Sequence, residues 1–447
     1  MTKSFLLTSC LAAAALATAV PASAQMTSPQ PRPERPYRGL FGGGVGPTEQ
    51  QLVANLSFGG GYDDDLLAES GGAPSTPTTS QSRRGGPFGS AETGLSYNFG
   101  VERFAFNANY GMQGRFYRDL PSSFLAGHSV GAGVAIDVTE STKVSGNTSV
   151  SYQPFYNAAF LPPVFDPAMG ALTLHDPAIS YVRRKYFSRT SGLSVSHALT
   201  GRTSISGSYS FQSSGVVAEE GYASRSYGAS LSHGIGKGLS ARAGYYANEA
   251  FFVDTGVRRR SRFSSIDAGL DFTKALSLTR KTHLGFSTGT TAATDVSGQA
   301  RYTFVGDVRL TRELGRTWSA GFSASRSMQF DPVVRDITLT DGVAAGVNGL
   351  INRRLQVQAG VGTSVGSVGF DSPNNGLSTS TASASLQYGI TRYLGVGVQY
   401  TYYYSSYETG VDLPFGWPRN LDRQSFSANV NLWAPLMTRT RRPNASR

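Results

Sequence analysis

Short segments in which apolar and small polar residues alternate fill the chain from about Gln51 to Trp433. The segment from Phe104 to Tyr110 reads FAFNANY, and the segment from Thr203 to Phe211 reads TSISGSYSF. A strand sends successive side chains to opposite faces, so each segment has one apolar face and one polar face. About 18 such segments predict an all-β fold, a transmembrane antiparallel up-and-down β-barrel, with 16 strands as the alternative count.

The alternation also predicts which side chains face outward. Near Val134, the side chains of Val130, Val134 and Ile136 should face lipid, and those of Gly133 and Ala135 should face water. In the segment near Val398 the predicted lipid-facing residues are Leu394, Val396, Val398, Tyr400, Tyr402 and Tyr404, and the predicted water-facing residues are Gln399, Thr401, Tyr403 and Ser405.

The connections between segments alternate between tight turns and longer loops. The tight turns combine a turn residue with a base, and they are Thr200-Gly201-Arg202, Gly236-Lys237-Gly238, Leu314-Gly315-Arg316, Asn352-Arg353-Arg354 and Thr391-Arg392-Tyr393. The longer connections include residues 63–86, 157–185 and 409–422. Tight turns are therefore expected at one end of the barrel and long loops at the other.

The two ends of the chain differ from the alternating part. Residues 1–24 begin with a base, continue with an uncharged Ala-rich stretch and end in Ala22-Ser23-Ala24, which predicts a cleaved secretory signal peptide. Residues 25–48 are rich in Pro, Arg and Gly and predict a periplasmic leader. The barrel is then expected over residues 49–434, followed by a basic tail at 435–447.

Charge and composition narrow the function classes. Charged residues make up 15% of the 447 residues, against roughly 25% in an ordinary globular protein. The net charge is +11, which favours anionic lipid or acidic solutes as partners, because an exported barrel does not meet nucleic acid. The single cysteine, Cys10, lies in the signal peptide, so the mature chain has no thiol chemistry.

Candidate catalytic and metal-binding residues are few. The histidines are His128, His175, His197, His233 and His283. His175-Asp176 could orient a base for hydrolysis, but no nucleophile motif accompanies the pair. No His, Cys or Asp group has metal-ligand spacing. We therefore expect no enzyme activity, no catalytic residue, no metal and no cofactor.

The first and last segments carry a resemblance to a known class. Residues 56–65 read LSFGGGYDDD, and residues 426–433 read FSANVNLW. The chain resembles Gram-negative outer-membrane β-barrels of the porin type, including exopolysaccharide-associated barrels. The resemblance implies residence in the outer membrane, insertion by the outer-membrane assembly machinery, and contact with outer-membrane lipid and lipopolysaccharide. It also implies that the loop at 157–185 folds into the bore; the alternative is a loop that packs over the mouth or against a neighbouring subunit.

Short polar side chains cannot fill a barrel of about 18 strands, so a water-filled lumen is expected. The predicted function is passive diffusion of small hydrophilic solutes through an outer-membrane channel. One alternative is an exit duct for an acidic exopolysaccharide, which needs a basic bore. Another is a structural or adhesive surface barrel that conducts nothing.

Basic residues are the candidate site residues. The candidate pore residues are Arg115, Arg242, Arg301 and Arg309, and the candidate mouth residues are Arg183, Arg184, Lys185, Arg258, Arg259 and Arg260. If the mouth clusters line the entrance, they concentrate anions there and produce a weak anion preference. If they point outward, they contact lipopolysaccharide phosphates and leave ion selectivity unchanged.

Overall fold

The structure is a computed structural model, and it describes most of the alternating region. The described residues are 48–64, 85–118, 124–153, 156–157, 179–180, 186–216, 220–254, 257–275, 281–294, 300–315, 317–331, 336–369, 374–411, 413 and 419–440. The predicted signal peptide, almost all of the predicted leader and the last seven residues lie outside this part, as does nearly all of the loop at 157–185.

Twenty strands make up the described secondary structure. They are β1 (Thr48–Asp63), β2 (Gly86–Val101), β3 (Phe104–Tyr117), β4 (Phe124–Asp137), β5 (Thr142–Gln153), β6 (Tyr156–Asn157), β7 (Ile179–Ser180), β8 (Tyr186–Ala198), β9 (Thr203–Val216), β10 (Glu220–Gly236), β11 (Leu239–Asp254), β12 (Val257–Ala275), β13 (Thr282–Thr294), β14 (Ala300–Leu314), β15 (Trp318–Asp331), β16 (Asp336–Leu350), β17 (Leu355–Val368), β18 (Gly376–Gly389), β19 (Leu394–Tyr407) and β20 (Asn420–Thr440). Among the described residues, no helix is long and apolar enough to cross a membrane.

Eighteen of these strands form one closed antiparallel sheet. Each strand pairs with the next in chain order, except that β5 pairs with β8, because β6 and β7 pair only with each other. The first and last strands close the ring from Thr48 opposite Thr440 to Asp63 opposite Ser425. The predicted fold class and the predicted number of strands are confirmed.

A buried ion pair reinforces this closure near the loop end. The Nε atom of Arg423 on β20 donates to both carboxylate oxygens of Asp63 on β1, at 2.8 and 3.1 Å. Next to it, the backbone N–H of Gln424 donates to the Asp64 carboxylate at 2.7 Å, and the Asp64 N–H donates to the Gln424 carbonyl at 3.1 Å. Charged partners make these hydrogen bonds strong, so the acidic end of β1 is fixed to β20.

The barrel extends further at its last strand than the sequence analysis predicts. The barrel was expected to end at residue 434, but β20 continues to Thr440 and pairs with the first residues of β1. Met437 lies opposite Leu52, and Pro435 lies opposite Val53, where the register shifts. Proline has no N–H to donate, which accounts for an irregularity at this point. Residues 435–440 therefore complete the sheet rather than begin a tail.

The tight turns lie together at one end of the barrel. The Thr200 hydroxyl accepts the backbone N–H groups of Arg202 and Thr203, at 3.2 and 3.0 Å, and the Thr391 hydroxyl closes its turn in the same way. Gly238 and Gly315 supply positive φ angles of 81° and 75°. The longer connections, including 63–86 and 407–420, lie at the opposite end, as the alternation predicts.

The two faces of the sheet differ as the period of two predicts. Val130 on β4 is 54% exposed and Val398 on β19 is 37% exposed, whereas Ser405, on the opposite face of β19, is 1% exposed. The exposed apolar side chains hold the same alternate positions along each strand, and they include Phe58, Leu95, Leu193, Ile205, Leu231, Ile266, Phe322, Val361, Leu386 and Val430. The outer wall of the barrel is therefore apolar.

Candidate channel lumen

Hydroxyl and amide groups cover the inner wall from β3 to β10. Serine hydroxyls pair across neighbouring strands at 2.6–2.7 Å, in the pairs Ser145–Ser194, Ser151–Ser188 and Ser206–Ser230. Several inward side chains of this wall are exposed to solvent, and they are Asn107, Asn109, Asn147, Ser149, Ser204 and Ser210. Short side chains that remain exposed inside a closed barrel leave space for water along this wall.

Glycines on the inner face allow the longer amides to lie against the wall. A Cβ atom at Gly131 or Gly133 would collide with the side-chain amide of Asn109 or Asn107 on the neighbouring strand. The glycine-rich face of β4 therefore lets the asparagine side chains of β3 spread sideways instead of projecting into the bore. This arrangement keeps the wall flat and polar.

A compact ionic cluster interrupts the hydroxyl wall between β11 and β13. The Arg242 guanidinium contacts the Asp267 carboxylate and the Asp271 carboxylate, each at 2.7 Å, and it donates to the Ser287 hydroxyl at 3.2 Å. Only 3% of the Arg242 side chain is exposed. A buried charge needs this degree of pairing, because an unpaired one is very costly.

Other inward charges also have neighbours of opposite sign or aromatic neighbours. Lys143 lies 3.5 Å from Asp137, across the β4–β5 pair. The guanidinium of Arg115 lies 4.9 Å from the centre of the Phe88 ring, which makes a cation–π contact on the inner face near the loop end. The inward charges named here therefore lie in a polar wall next to acidic or aromatic neighbours.

A loop covers part of the mouth on the side of β17–β19. Val411 and Leu413, in the connection between β19 and β20, pack against inward-facing Val368, Leu377 and Tyr407. Two backbone hydrogen bonds fix the start of this connection to β18 and the residues before it. The Glu408 N–H donates to the Gly376 carbonyl at 2.9 Å, and the Gly410 N–H donates to the Asn374 carbonyl at 2.7 Å. The length of this loop is apparent from the sequence but its packing at the mouth is not; the apolar pair Val411 and Leu413 was the signal available.

The structure describes the side chains of four of the candidate basic residues. Arg115, Arg242 and Arg309 occupy the inward positions of their strands, whereas Arg260 occupies an outward position. Arg260 pairs with outward-facing Glu249 at 2.8 Å, which favours the outward alternative for this residue. Three candidates have only their backbone placed, and they are Arg301 in β14 and Arg258 and Arg259 in β12. Arg183, Arg184 and Lys185 lie outside the described residues.

Three of the described histidines form hydrogen bonds on the outer face near the strand ends. The Nδ1 atoms of His197 and His233 lie 2.8 Å from the hydroxyls of Thr142 and Thr203, next to tight turns. The Nδ1 atom of His128 lies 3.0 Å from the Tyr110 hydroxyl. In the described ranges, no group of three or more His, Cys, Asp or Glu residues could hold a metal ion.

Comparison with known proteins adds little to this description. No protein-family model matches the chain, and no curated protein matches it. Among solved structures it is similar to the siderophore receptor PirA from Pseudomonas aeruginosa, with 9% identity, a TM-score of 0.44, and coverage of 87% of this chain and 81% of that chain. It is also similar to the FrpB iron transporter from Neisseria meningitidis, with 9% identity, a TM-score of 0.45, and coverage of 88% and 82%. Similarities this low carry no argument, and the fold rests on the strand pairing itself.

Proposed function

We propose that the protein is an outer-membrane β-barrel that forms an aqueous channel for passive diffusion of small hydrophilic solutes. The supporting observation is the contrast between its two walls, an apolar exposed outer face and an inner face of exposed Ser and Asn side chains. A closed barrel with these faces satisfies every backbone group in lipid and leaves water inside. We expect no catalytic step in this function.

The charge pattern supports weak selectivity. Because Arg242 lies between two carboxylates and Lys143 lies beside Asp137, the positive charges at these two places on the inner wall are offset by acidic neighbours. Any preference for anions then depends on basic residues at the mouth rather than on the net charge of the chain. An exit duct for an acidic polysaccharide would need a continuous basic track, which this part of the inner wall does not supply.

The orientation follows from the chain ends. Thr48 and Thr440 lie at the end of the barrel that carries the tight turns. A chain exported by a signal peptide inserts with short turns on the periplasmic side, and long loops then face the cell surface. The β19–β20 connection and the loop at 157–185 would both lie at the outer entrance.

Single-channel recording in planar bilayers tests the channel directly. Two adjacent residues of β5 form a matched pair: Ser149 faces inward, and Val150 faces outward. Ser149→Trp should lower the unit conductance, because the ring enters the water path, whereas Val150→Trp should leave it unchanged. A correctly assembled wild-type barrel that does not conduct would refute the channel and favour the structural or adhesive alternative.

The mouth-covering loop gives a second test. Removing Val411 and Leu413 together, as Val411→Ser with Leu413→Ser, should loosen the packing on Tyr407 and raise the conductance or its fluctuations. Deleting residues 162–178 of the loop at 157–185 tests the constriction expected from the porin resemblance. An unchanged conductance after the deletion would show that the loop at 157–185 does not limit flow, and an unchanged conductance in the serine variant would show the same for the β19–β20 connection.

A further inference from the structure

Three arginines and two phenylalanines form a contiguous group on the outer wall. Arg189 on β8 lies 5.9 Å from the Phe211 ring on β9, Arg225 on β10 lies 5.9 Å from the Phe251 ring on β11, and Arg260 on β12 lies 5.6 Å from the same ring. We call these five residues the arginine belt. All three arginine side chains are exposed, and the rings beneath them are half-buried.

Strand register makes the belt continuous across five strands. Phe211 lies directly opposite Arg225, and Phe251 lies directly opposite Arg260. Arg189 lies opposite Ser213, the outward residue next to Phe211 along β9. Each member lies within about five residues of the loop end of its strand, so the belt runs around the barrel at one level.

The belt lies at the boundary of the apolar outer surface. Directly below it, the rings of Tyr209 and Tyr227 are 5.3 Å apart, and Leu193, Leu231 and Ile266 are exposed further toward the turns. Aromatic residues favour the level at which hydrocarbon meets headgroups. The arginines therefore stand where a lipid headgroup would lie if the apolar wall spans a membrane.

The belt has an excess of positive charge. Glu249 is an acidic neighbour: it contacts Arg260 at 2.8 Å and lies opposite Arg225 in register. Among the side chains that the structure describes here, the three guanidinium groups share this surface with the Glu249 carboxylate. A guanidinium stacked on a ring keeps its N–H donors in a plane that suits phosphate. The outward position also keeps these charges away from the lumen.

We propose that the arginine belt binds the phosphates of a multiply phosphorylated glycolipid of the outer leaflet, of the lipid A type. This inference rests on the membrane placement in the proposed function. Four interstrand spacings separate β8 from β12, or roughly 20 Å. A headgroup with one phosphate would reach one arginine, whereas a disaccharide that carries two phosphates can engage two arginines at once while its acyl chains lie on Leu193 and Leu231.

Binding of diphosphoryl lipid A to the full-length barrel in detergent tests the proposal. The belt variant is Arg189→Ser with Arg225→Ser and Arg260→Ser. Its matched control removes three exposed arginines from the tight-turn end, as Arg202→Ser with Arg312→Ser and Arg354→Ser. The belt variant should bind at least about tenfold more weakly than the wild type, since each lost charge-assisted contact lowers affinity. The control should bind as the wild type does.

Two further measurements separate specific contact from general attraction. Monophosphoryl lipid A should bind the wild type more weakly than the diphosphoryl form does, and Glu249→Gln should strengthen binding by removing the competing carboxylate. The proposal is overturned if the belt variant binds lipid A as tightly as the wild type does. It is also overturned if the belt variant and the control both bind more weakly than the wild type by the same factor. Conductance recorded on the same variants should stay at the wild-type value, so a failure of the channel function would be recognised separately.

Discussion

Arginines occupy both walls of the barrel between β8 and β12, but the two sets differ in burial and in the groups that they contact. Arg242 faces inward, is almost fully buried and contacts two carboxylates. Arg225 faces outward, remains exposed and lies over the Phe251 ring. Water inside the barrel does not reach Arg242, so protein groups must neutralise it. The outer arginines keep their charge available for a partner. The net charge of +11 therefore says little about the field within the lumen.

The largest difference between these regions should appear in stability. Arg242→Ala leaves Asp267 and Asp271 without their shared partner, and breaking a buried pair in this way costs about 3–5 kcal/mol. Arg225→Ala removes an exposed contact and should cost no more than about 1 kcal/mol. Urea unfolding of the barrel in detergent or lipid vesicles, followed by heat-modifiable gel migration, measures both values. Equal losses would show that the inner cluster is not buried as described.

A second comparison concerns the two walls at one level of the barrel. Val130 points outward from the middle of β4, and Ser149 points inward from β5 nearby. Val130→Arg should lower the free energy of unfolding by roughly 2–4 kcal/mol, because it places a charge in hydrocarbon near the midplane. Ser149→Arg should cost less and should reduce conductance instead. Folding into vesicles across a denaturant series checks this, and equal tolerance at both positions would contradict the assignment of faces.

The period of two predicts much of this architecture from sequence. It yields the faces and the number of strands, since about 18 segments are expected and eighteen strands form the barrel. Side-chain contacts between strands are harder to predict from sequence, because they depend on the register in which the strands pair. Arg242 meets Asp267 and Asp271 only after β11 aligns with β12. The arginine run at 258–260 is visible in the sequence as a local cluster, whereas the belt combines Arg260 of that run with Arg189 and Arg225 from other strands.

A readable signal for the belt was nevertheless present. Arg189 shares its alternate position with Leu193 and Val195, and Arg225 shares its position with Tyr227 and Leu231. A charged residue on the apolar face of a barrel strand is costly near the membrane centre and far less so near the interface. Such a residue close to a strand end therefore indicates the headgroup level, and neighbouring strands with the same feature indicate a shared surface.

The smallest expected effect concerns ion selectivity and separates the two sets of arginines most directly. Asp271→Asn removes one carboxylate from the inner cluster while keeping an oxygen that can accept from Arg242. The charge on the lumen wall then becomes more positive by one unit, and the reversal potential under a KCl gradient should move slightly toward anion preference.

Arg260→Ser should leave the reversal potential unchanged, since its side chain lies outside the bore and pairs with Glu249. Recording at about 0.1 M salt or below keeps the screening length at about 10 Å or more, so a single charge on the wall still acts on passing ions. A shift toward cations in Arg260→Ser would place this arginine at the mouth, and Arg258→Ser with Arg259→Ser, measured separately, tests the same question for its two neighbours.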